Sequence, residues 1–263
     1  MLITRFALES TVAFGVIEPA EGEEFDPASA SVRPMRGHPY GELDLVDLAL
    51  PLSTVRLLAP VLPAKVIGIG KNYADHAAEM NADVPEEPLA FLKPSTSVIG
   101  PRDEIKIPEQ SQRVDYEGEL AVVIGKMCRH VAAEDAAAVI LGYTCGNDVT
   151  ARDLQKRDGQ WARAKGFDTF CPLGPWIQTD FDPTSARIET TVNGELRQQG
   201  SGADLIFGVG QLVEWVSSVM TLLPGDVILT GTPAGIGQLN DGDHVKVEIP
   251  GIGALTNEVS LGD

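Results

Sequence analysis

The amino-acid sequence predicts an α+β fold in which β-structure dominates. Short β-prone apolar runs recur along the 263 residues, and Gly, Pro and Asn separate them. Helical periodicity is confined to a short segment after residue 72 and to residues 134–141 and 204–220. The chain contains no internal repeat and no low-complexity tract, which argues against a repeat architecture or extensive disorder.

Residues 1–60 are expected to form a small β-rich subdomain. Residues 2–17 hold two β-prone runs around a Glu-Ser turn, which predicts a hairpin. The acidic stretch 18–41 is rich in Pro, Gly and Ala and predicts a loop, and residues 43–50 predict a turn of helix. Nothing in this part suggests catalysis, so the functional part of the chain is expected in residues 61–263.

The net charge of −18 argues against two classes of partner. Nucleic acids and anionic membranes are bound by clusters of Lys and Arg, whereas this chain has 20 basic and 38 acidic residues. An anionic substrate would need local compensation, which a bound divalent cation and a few basic side chains could supply. No apolar run approaches the ~18 residues of a membrane span.

Cysteine usage and the N-terminal residues indicate a cytoplasmic protein. Cys128, Cys145 and Cys171 are odd in number and form no C-x-x-C pair, so we expect reduced core residues. Cys145 is close in sequence to Asp148, which leaves a role near a functional site open. The N-terminus lacks the basic stretch and apolar run of a secretory signal.

A candidate general base lies after a buried-type strand at residues 65–70. Asn72 can cap a short helix there, on which His76 and Glu79, three residues apart, would share a face. The carboxylate could then fix the tautomer of the imidazole and make the histidine a usable base. From the spacing alone, an ordinary ion pair on a helix surface is the commoner outcome.

Three carboxylates form a candidate metal site. Glu117 and Glu119 are two apart at the start of a β-prone run, so both would project to one side of a strand. Asp148 follows a second apolar segment and can supply a third carboxylate. Such a group needs a compensating cation, and oxygen ligands without Cys or His suit Mg²⁺, Mn²⁺ or Ca²⁺. From the spacing alone, a solvated strand face is the commoner explanation.

Four motifs in a fixed order give a more specific signal. They are Tyr-Glu-Gly-Glu-Leu (116–120), Asn-Asp-Val-Thr-Ala-Arg-Asp (147–153), Ala-Lys-Gly-Phe-Asp-Thr-Phe (164–170) and Gly-Asp-Val-Ile-Leu-Thr-Gly-Thr-Pro-Ala-Gly-Ile-Gly (225–237). From about Pro63 to the C-terminus, the chain therefore resembles the fumarylacetoacetate hydrolase family. The resemblance is to its bacterial branch of acylpyruvate hydrolases, oxaloacetate decarboxylases and dienedioate isomerases.

The resemblance implies a fold, a cofactor and a substrate class. The fold would be a mixed β-sandwich roll over residues 61–263, behind the small N-terminal β subdomain. Glu117, Glu119 and Asp148 would bind Mg²⁺ or Mn²⁺, with Ca²⁺ able to replace them in a crystal. The substrate would be a small anionic 2-oxo acid or its enol, and the protein a homodimer.

The resemblance also implies the catalytic residues. Asn-Tyr-x-x-His-x-x-Glu at 72–79 matches the family's catalytic dyad, His76 and Glu79, carried on a mobile segment over the site. Lys165 matches an active-site lysine that donates to a developing enolate. A lysine near carboxylates is often only a structural counter-charge, which is the alternative for Lys165.

Five further residues are expected to contact the substrate. In the family, Arg152 and Gln155 face it, and Lys93 lies in a Phe-x-Lys-Pro segment beside the site, although a solvated lysine at a strand end would look the same. Gly231 and Thr232 belong to a glycine-rich loop without the Gly-Lys-Ser/Thr of a nucleotide P-loop. Exposed backbone N–H groups and a threonine hydroxyl in such a loop suit a carboxylate.

These residues favour an enzyme that breaks a carbon–carbon bond beside a 2-oxo acid. A divalent metal would stabilise the enolate as a Lewis acid. With His76 activating a water, acylpyruvate hydrolysis follows, whereas oxaloacetate decarboxylation needs the enolate but no water. The alternative is a 2-hydroxyhepta-2,4-diene-1,7-dioate isomerase, which needs only proton abstraction and return. A non-catalytic calcium-binding scaffold would leave His76, Glu79, Arg152 and Lys165 unexplained.

Overall fold

The computed structural model describes residues 1–22, 24–80 and 83–262 and confirms the mainly β architecture. The strands are β1 (Leu2–Leu8), β2 (Thr11–Glu18), β3 (Ser31–Arg36), β4 (Asp44–Leu45), β5 (Leu50–Pro51), β6 (Arg56–Leu58), β7 (Val66–Gly70), β8 (Leu89–Lys93), β9 (Val98–Ile99), β10 (Ile105–Ile107), β11 (Val114–Tyr116), β12 (Gly118–Ile124), β13 (Ile140–Asn147), β14 (Thr150–Ala151), β15 (Cys171–Gln178), β16 (Arg187–Val192), β17 (Glu195–Ser201), β18 (Val227–Leu229), β19 (Gly237–Gln238), β20 (His244–Ile249) and β21 (Gly253–Leu261). The helices are α1 (Ala74–Glu79), α2 (Arg152–Asp158), α3 (Ala162–Gly166) and α4 (Val209–Val219).

A mixed 13-stranded sheet forms the centre of the molecule. Its strand order is β4-β3-β2-β1-β15-β13-β12-β18-β7-β8, and β5, β6 and β9 pair beside this path. β18 runs parallel to β7, whereas β12 is antiparallel to both β13 and β18. Two smaller sheets accompany it, with the orders β10-β21-β20-β16-β17 and β14-β11-β19.

The N-terminal strands continue the central sheet. β1 pairs with β15, and β2 and β3 follow on its other side, so the hairpin predicted for residues 2–17 is confirmed. The predicted loop 18–41 contains β3, because Val32 and Met35 are buried against the sheet. The helical turn predicted for residues 43–50 is wrong, since β4 and β5 lie there. The division of the chain at residue 60 stays a prediction.

β12 carries Glu119, and every one of its seven residues is buried. Leu120, Val122 and Ile124 face one core cluster, which includes the buried side chains of α4. Ala121 and Val123 face a second cluster on the other side of the sheet. A strand covered on both faces reads as a continuous apolar run, and each fully buried large aliphatic side chain stabilises the fold by about 1.5–3 kcal/mol.

The two longer helix predictions had different outcomes. Residues 134–141 form no α-helix: a 3-10 turn spans Ala133–Ala138, and pairing with β12 and β15 draws the following aliphatic residues into β13. The pattern at 204–220 does produce α4, which begins only at Val209, after Gly208 N donates to Gln211 Oε1 (2.9 Å). In the part of the chain that the structure describes, no helix is long and apolar enough to cross a membrane.

Two of the three cysteines are core residues as expected, whereas Cys128 is only partly buried. All three are free, and Cys145 and Cys171 are buried. Burial raises the pKa of the Cys171 thiol to about 12 and raises that of Cys145 as well. Both are therefore neutral thiols at physiological pH and poor nucleophiles.

A turn at Asn193-Gly194 connects β16 to β17. Both residues have positive φ angles, 53° and 81°, as a two-residue hairpin loop requires. β16 in turn pairs with β20, so this hairpin is anchored in the five-stranded sheet. Gln198 of β17 is buried, and it reaches across to β12 beside the carboxylates.

Candidate active site

Three carboxylates meet where β12 begins and β13 ends. Glu117 precedes β12, Glu119 is its second residue, and Asp148 follows β13. The antiparallel register puts Gly118 opposite Asn147, which brings the three side chains together. One ligand oxygen from each lies within 4.8 Å of the others, and each residue is at most 4% exposed. The carboxylates therefore face a buried site, not a solvated strand face.

Three buried cations pair with two of these carboxylates. Lys165 Nζ donates to Glu117 Oε2 (2.7 Å) and to Asp148 Oδ2 (2.6 Å). Lys93 forms an ion pair with Asp148, and because its side chain is fully buried the solvated alternative is wrong. The guanidinium of Arg152 forms an ion pair with Glu117.

Asp115 is a fourth buried carboxylate, which the sequence analysis did not single out. It accepts hydrogen bonds from Arg152 Nε (2.9 Å) and from Arg113 Nε (2.9 Å). Asp115 thus holds the arginine that pairs with Glu117. A signal was present, because Asp115 alternates with Glu117 and Glu119 as residues on one strand face do.

Glu119 differs from the other two carboxylates. Among the residues that the structure describes, no cation pairs with it, and its one hydrogen bond comes from Gly231 N (2.7 Å). Burial raises the pKa of Glu119 well above its usual value, and the charges of Asp148 and Glu117 raise it further. Its ionised form is therefore disfavoured until a cation binds beside it.

Glu117 and Lys165 are both charged. Burial opposes ionisation of Glu117, but the charges of Lys165 and Arg152 outweigh it and hold the pKa of Glu117 well below its usual range. Burial likewise opposes the charge on Lys165, but Asp148 and Glu117 outweigh it and raise the pKa of Lys165. Lys165 therefore does act as a counter-charge to two carboxylates, which is the alternative role given for it above.

The cluster could hold a divalent metal ion. Its donors are carboxylate oxygens, the ligands that Mg²⁺, Mn²⁺ and Ca²⁺ prefer. The fit rests on Glu119, a buried carboxylate that lacks a counter-cation among the described side chains. An uncompensated buried charge is strongly unfavourable, and a cation bound by Glu117, Glu119 and Asp148 would compensate it.

The predicted dyad lies on α1. The imidazole of His76 is 7% exposed, and its Nδ1 lies 3.1 Å from Glu79 Oε2. When Glu79 accepts a hydrogen bond from Nδ1–H, Nε2 remains as the nitrogen that can take a proton. Glu79 Oε1 also accepts from Gly235 N (3.1 Å), which links α1 to the glycine-rich loop. Burial of the imidazole distinguishes the pair from an ordinary surface ion pair.

Asn72 does not cap α1, contrary to the prediction. The N-cap is Tyr73, which makes no side-chain capping bond. The Asn72 amide instead accepts from Phe207 N (2.8 Å) and donates to Phe207 O (3.0 Å) and Thr230 O (2.7 Å). It thereby ties the entry to α1 to the end of β18.

The glycine-rich loop, residues 231–237, packs directly against the acidic cluster. Gly231 has a φ angle of 103°, and a Cβ there would lie 2.7 Å from the Asn72 side chain. Its N–H is already bonded to Glu119, so the predicted substrate contact of Gly231 would need this bond to change. Thr232 Oγ1 donates to Gly118 O (2.9 Å).

A pocket connects the dyad to the acidic cluster. About 410 Å³ of space between protein atoms lies in it, which includes the open solvent at its mouth. The predicted residues that line it are His76, Glu117, Glu119, Asp148, Arg152, Gln155, Lys165 and Thr232. Glu79, Lys93 and Gly231 do not line it, but each bonds a side chain that does.

Besides Ile69 and Gly70 at the end of β7, the pocket is lined by three residues that sequence analysis did not single out, Lys71, Met80 and Trp161. Lys71 has a positive φ angle of 57° directly after β7. Trp161 packs edge to face on Phe91, with ring centroids 5.4 Å apart. All three pocket residues lie outside regular strands and helices, where no periodicity identifies a functional face.

Comparison with known proteins identifies relatives that cover the whole chain. The family model described as fumarylacetoacetate (FAA) hydrolase C-terminal matches residues 65–260, and the one described as Rv2993c-like, N-terminal matches residues 1–60. Protein Rv2993c of Mycobacterium tuberculosis is 52% identical over 98% of both chains. Human mitochondrial oxaloacetate tautomerase FAHD2A is 48% identical over 80% of this chain and 71% of that protein. A crystal structure of 5-carboxymethyl-2-hydroxymuconate delta-isomerase from Mycobacterium smegmatis has 52% identity and a TM-score of 0.92, covering 100% of each chain.

Proposed function

Because the chain belongs to the fumarylacetoacetate hydrolase family of enzymes, we propose that it is a divalent-metal-dependent enzyme acting on a small 2-oxo acid. The proposed reaction moves a proton to and from carbon through an enolate, as in keto–enol tautomerisation or a double-bond shift. Relatives named as a tautomerase and a delta-isomerase support this reaction class. Proton transfer is therefore the first candidate reaction, in place of the carbon–carbon cleavage that the sequence alone favoured.

One observation carries the proposal. A buried histidine, oriented by a carboxylate, lines the same pocket as a cluster of carboxylates that could hold a metal. Enolisation needs a base near the carbon and positive charge near the oxygen. The pocket brings both together, and the combination is difficult to explain in a binding protein.

The metal site would supply the electrophile. A divalent ion held by Glu117, Glu119 and Asp148 would act as a Lewis acid on the 2-oxo oxygen of a bound substrate. Mg²⁺ and Mn²⁺ are the proposed ions, since both prefer carboxylate oxygens.

His76 is proposed to take the proton from the carbon beside the 2-oxo group and to return it. Glu79 keeps Nδ1 protonated and stabilises the imidazolium that forms when Nε2 accepts the proton. Lys165, which is charged and lines the pocket, would stabilise negative charge on the enolate oxygen.

Gln155 is the proposed contact for a substrate carboxylate. Its Oε1 accepts from Arg152 Nη1 (2.7 Å), which orients the amide. Its Nε2 group makes no hydrogen bond among the described residues, and Gln155 lines the pocket. Arg152 itself is engaged by Asp115, Glu117 and Gln155, so its proposed role is to orient these groups.

Carbon–carbon cleavage is the second candidate, and Lys165 favours it. Breaking the bond between C3 and C4 of a 2,4-dioxo acid releases pyruvate as its enolate, and loss of CO₂ from oxaloacetate forms the same species. A buried lysine beside the metal ligands would stabilise that enolate in either case. We propose a homodimer for either reaction, by analogy with the family.

A substrate comparison tests the proposal. Enol-to-keto conversion of oxaloacetate, double-bond migration in a 2-hydroxy-dienedioate, and pyruvate release from oxaloacetate and acetylpyruvate are each measured with Mg²⁺ or Mn²⁺. We expect the first two to proceed faster than with metal alone and to depend on His76. His244→Ala is the matched control, since His244 is exposed on β20. Pyruvate release without faster proton transfer would favour the second candidate, and no turnover of any substrate would contradict both.

A further inference from the structure

Gln198 is a buried amide behind the acidic cluster, on β17 of the five-stranded sheet. It is 1% exposed and does not line the pocket. Its Oε1 accepts from Gly118 N (2.9 Å), and its Nε2 donates to Thr232 Oγ1 (2.7 Å) and Pro233 O (2.8 Å). A single side chain therefore bonds both the strand that carries the carboxylates and the glycine-rich loop.

These bonds close a ring around Gly118. Thr232 Oγ1, which accepts from Gln198, donates in turn to Gly118 O (2.9 Å). The N–H of Gly118 therefore bonds Gln198 and its C=O bonds Thr232, so side chains of the ring satisfy both backbone groups. Gly118 is the residue between Glu117 and Glu119, so the ring holds the backbone that sets the spacing of the two carboxylates.

The ring replaces a missing strand. β12 pairs with β18 only from Ala121 to Val123, and the last backbone bond beyond them runs from Thr230 N to Leu120 O (3.1 Å). After Thr230 the chain turns away into the loop, which leaves Gly118 without a strand partner on that edge. Unpaired buried backbone groups are unfavourable, and the Gln198 amide and Thr232 hydroxyl satisfy those of Gly118.

The opposite edge of this segment is held separately. Glu117 N donates to Asn147 Oδ1 (3.0 Å), and Asp148 N donates to Glu117 O (2.8 Å). The other strand of the hairpin, β16, also lies close to Gly118, because a Cβ there would lie 2.0 Å from Thr190 Oγ1. The ligand segment is thus fixed between β13 on one side and the β16–β17 hairpin on the other.

We propose that Gln198 is a positioning residue that sets the geometry of Glu117 and Glu119 and couples it to the glycine-rich loop. The inference rests on the proposed function in that it treats these carboxylates as metal ligands. The loop that Gln198 fixes also bonds Glu119 through Gly231 N and Glu79 through Gly235 N. Metal affinity and orientation of the dyad therefore both depend on a side chain that touches neither metal nor substrate.

Gln198→Met tests this inference, with Gln199→Met as the matched control. Gln199 is the next residue of β17, is exposed, and donates to Glu189 Oε1 (3.1 Å) on the other face. The dissociation constant for Mn²⁺ is measured by calorimetry, and exchange of the Gly118 amide by hydrogen-exchange mass spectrometry. We expect Gln198→Met to weaken Mn²⁺ binding about 10–100-fold, the range for losing an outer partner of a metal ligand, and to speed that exchange. Gln199→Met should change neither.

A purely structural role makes a different prediction. It would lower the melting temperature of Gln198→Met but leave its Mn²⁺ dissociation constant at 25 °C equal to that of the control, and this result would overturn the inference. If Gln198→Met weakens Mn²⁺ binding but the wild type turns over no candidate substrate, the proposed function is refuted and the inference about Gln198 stands.

A second variant tests the inference if Gln198→Met does not fold. Thr232→Val removes the hydroxyl that joins Gln198 to Gly118 O and retains a branched side chain of similar size. The expected result is weaker Mn²⁺ binding and faster Gly118 exchange, both smaller than for loss of the whole amide. An unchanged Mn²⁺ dissociation constant in a folded Thr232→Val protein would overturn the ring as a determinant of the metal site.

Discussion

Two parts of the pocket, an acidic floor and a wall formed by α1, are built by different means. The acidic floor comprises Glu117, Glu119 and Asp148, which are buried at the ends of paired strands, and the buried cations Lys93, Arg152 and Lys165. The α1 wall carries His76 and Glu79 on a helix of six residues, and the Glu79 side chain is 32% exposed. The floor holds charges in a fixed array, whereas the wall holds one base by two hydrogen bonds of Glu79.

Because of this difference, substitutions in the floor and in the α1 wall should change stability and metal affinity to different extents. Removing one partner of a buried ion pair typically destabilises a protein by about 3–5 kcal/mol, whereas an exposed pair contributes about 0–1 kcal/mol. Changes in the floor should therefore alter stability and metal affinity together. Changes in the α1 wall should alter the rate of proton transfer and leave both quantities nearly unchanged.

Metal removal should have the largest effect, because it disables the floor and leaves the α1 wall intact. A chelator should abolish turnover, and Mg²⁺ or Mn²⁺ should restore it, since the electrophile depends on an ion at the three carboxylates. The measurement is the initial rate before and after exhaustive dialysis against chelator. Full activity in metal-free protein would contradict a catalytic role for the floor.

His76→Ala tests the α1 wall alone. We expect the rate of proton transfer to fall by roughly 10²–10⁴-fold, the usual contribution of a general base, with Mn²⁺ affinity unchanged. Acylpyruvate hydrolysis should fall by a similar factor, and oxaloacetate decarboxylation by less, since it needs no activated water. The measurement is kcat for each substrate at saturating metal. Equal losses on all substrates would make the dyad a common proton shuttle instead.

Lys165→Met tests whether the floor is held by charge. Loss of this lysine leaves Glu117 and Asp148 each short of one buried partner, so the free energy of unfolding should fall by about 3–5 kcal/mol. Lys246→Met is the control, because Lys246 pairs with Glu248 at 40% side-chain exposure and should cost at most about 1 kcal/mol. Urea unfolding of the metal-free proteins measures both. Similar decreases in the free energy of unfolding of the two variants would show that the buried ion pairs of the floor stabilise the protein no more than an exposed pair does.

Glu119→Gln should give the most selective change in the floor. Mn²⁺ affinity should fall about 100-fold, at least as much as for an outer partner of a ligand, while the metal-free protein stays folded. Because the pKa of Glu119 is raised in the folded protein, its contribution to stability is present at low pH and lost as pH rises through that pKa. Metal-free wild type should therefore lose stability relative to Glu119→Gln as pH rises. Parallel stability curves would contradict this.

Local spacing in the sequence was enough to predict much of the site. A spacing of two residues predicted that Glu117 and Glu119 lie together, although Glu117 lies just before β12. A spacing of three on a helix predicted that His76 lies beside Glu79. The apolar run after Glu119 correctly predicted a strand. These predictions succeeded because the repeat of a strand or helix fixes which near neighbours share a face.

Other local patterns failed where a distant partner decided the outcome. Asn72 has the chemistry of a helix cap, but its amide bonds residues more than 130 positions away. Residues 134–141 have a helical pattern, but pairing with β12 and β15 draws their end into β13. Tertiary hydrogen bonds and strand pairing outweighed the weaker local preference in both cases.

By itself, the sequence determined the family, the mainly β class and the residue types of the site. The tertiary structure alone decided that Lys93 is buried on Asp148, 55 positions away, and that Gln198 bonds Gly118 across 80 positions. Such contacts depend on strand order and on the register between strands that are far apart in the chain. Periodicity specifies the face on which a side chain lies, but only the packed sheets specify what that face meets.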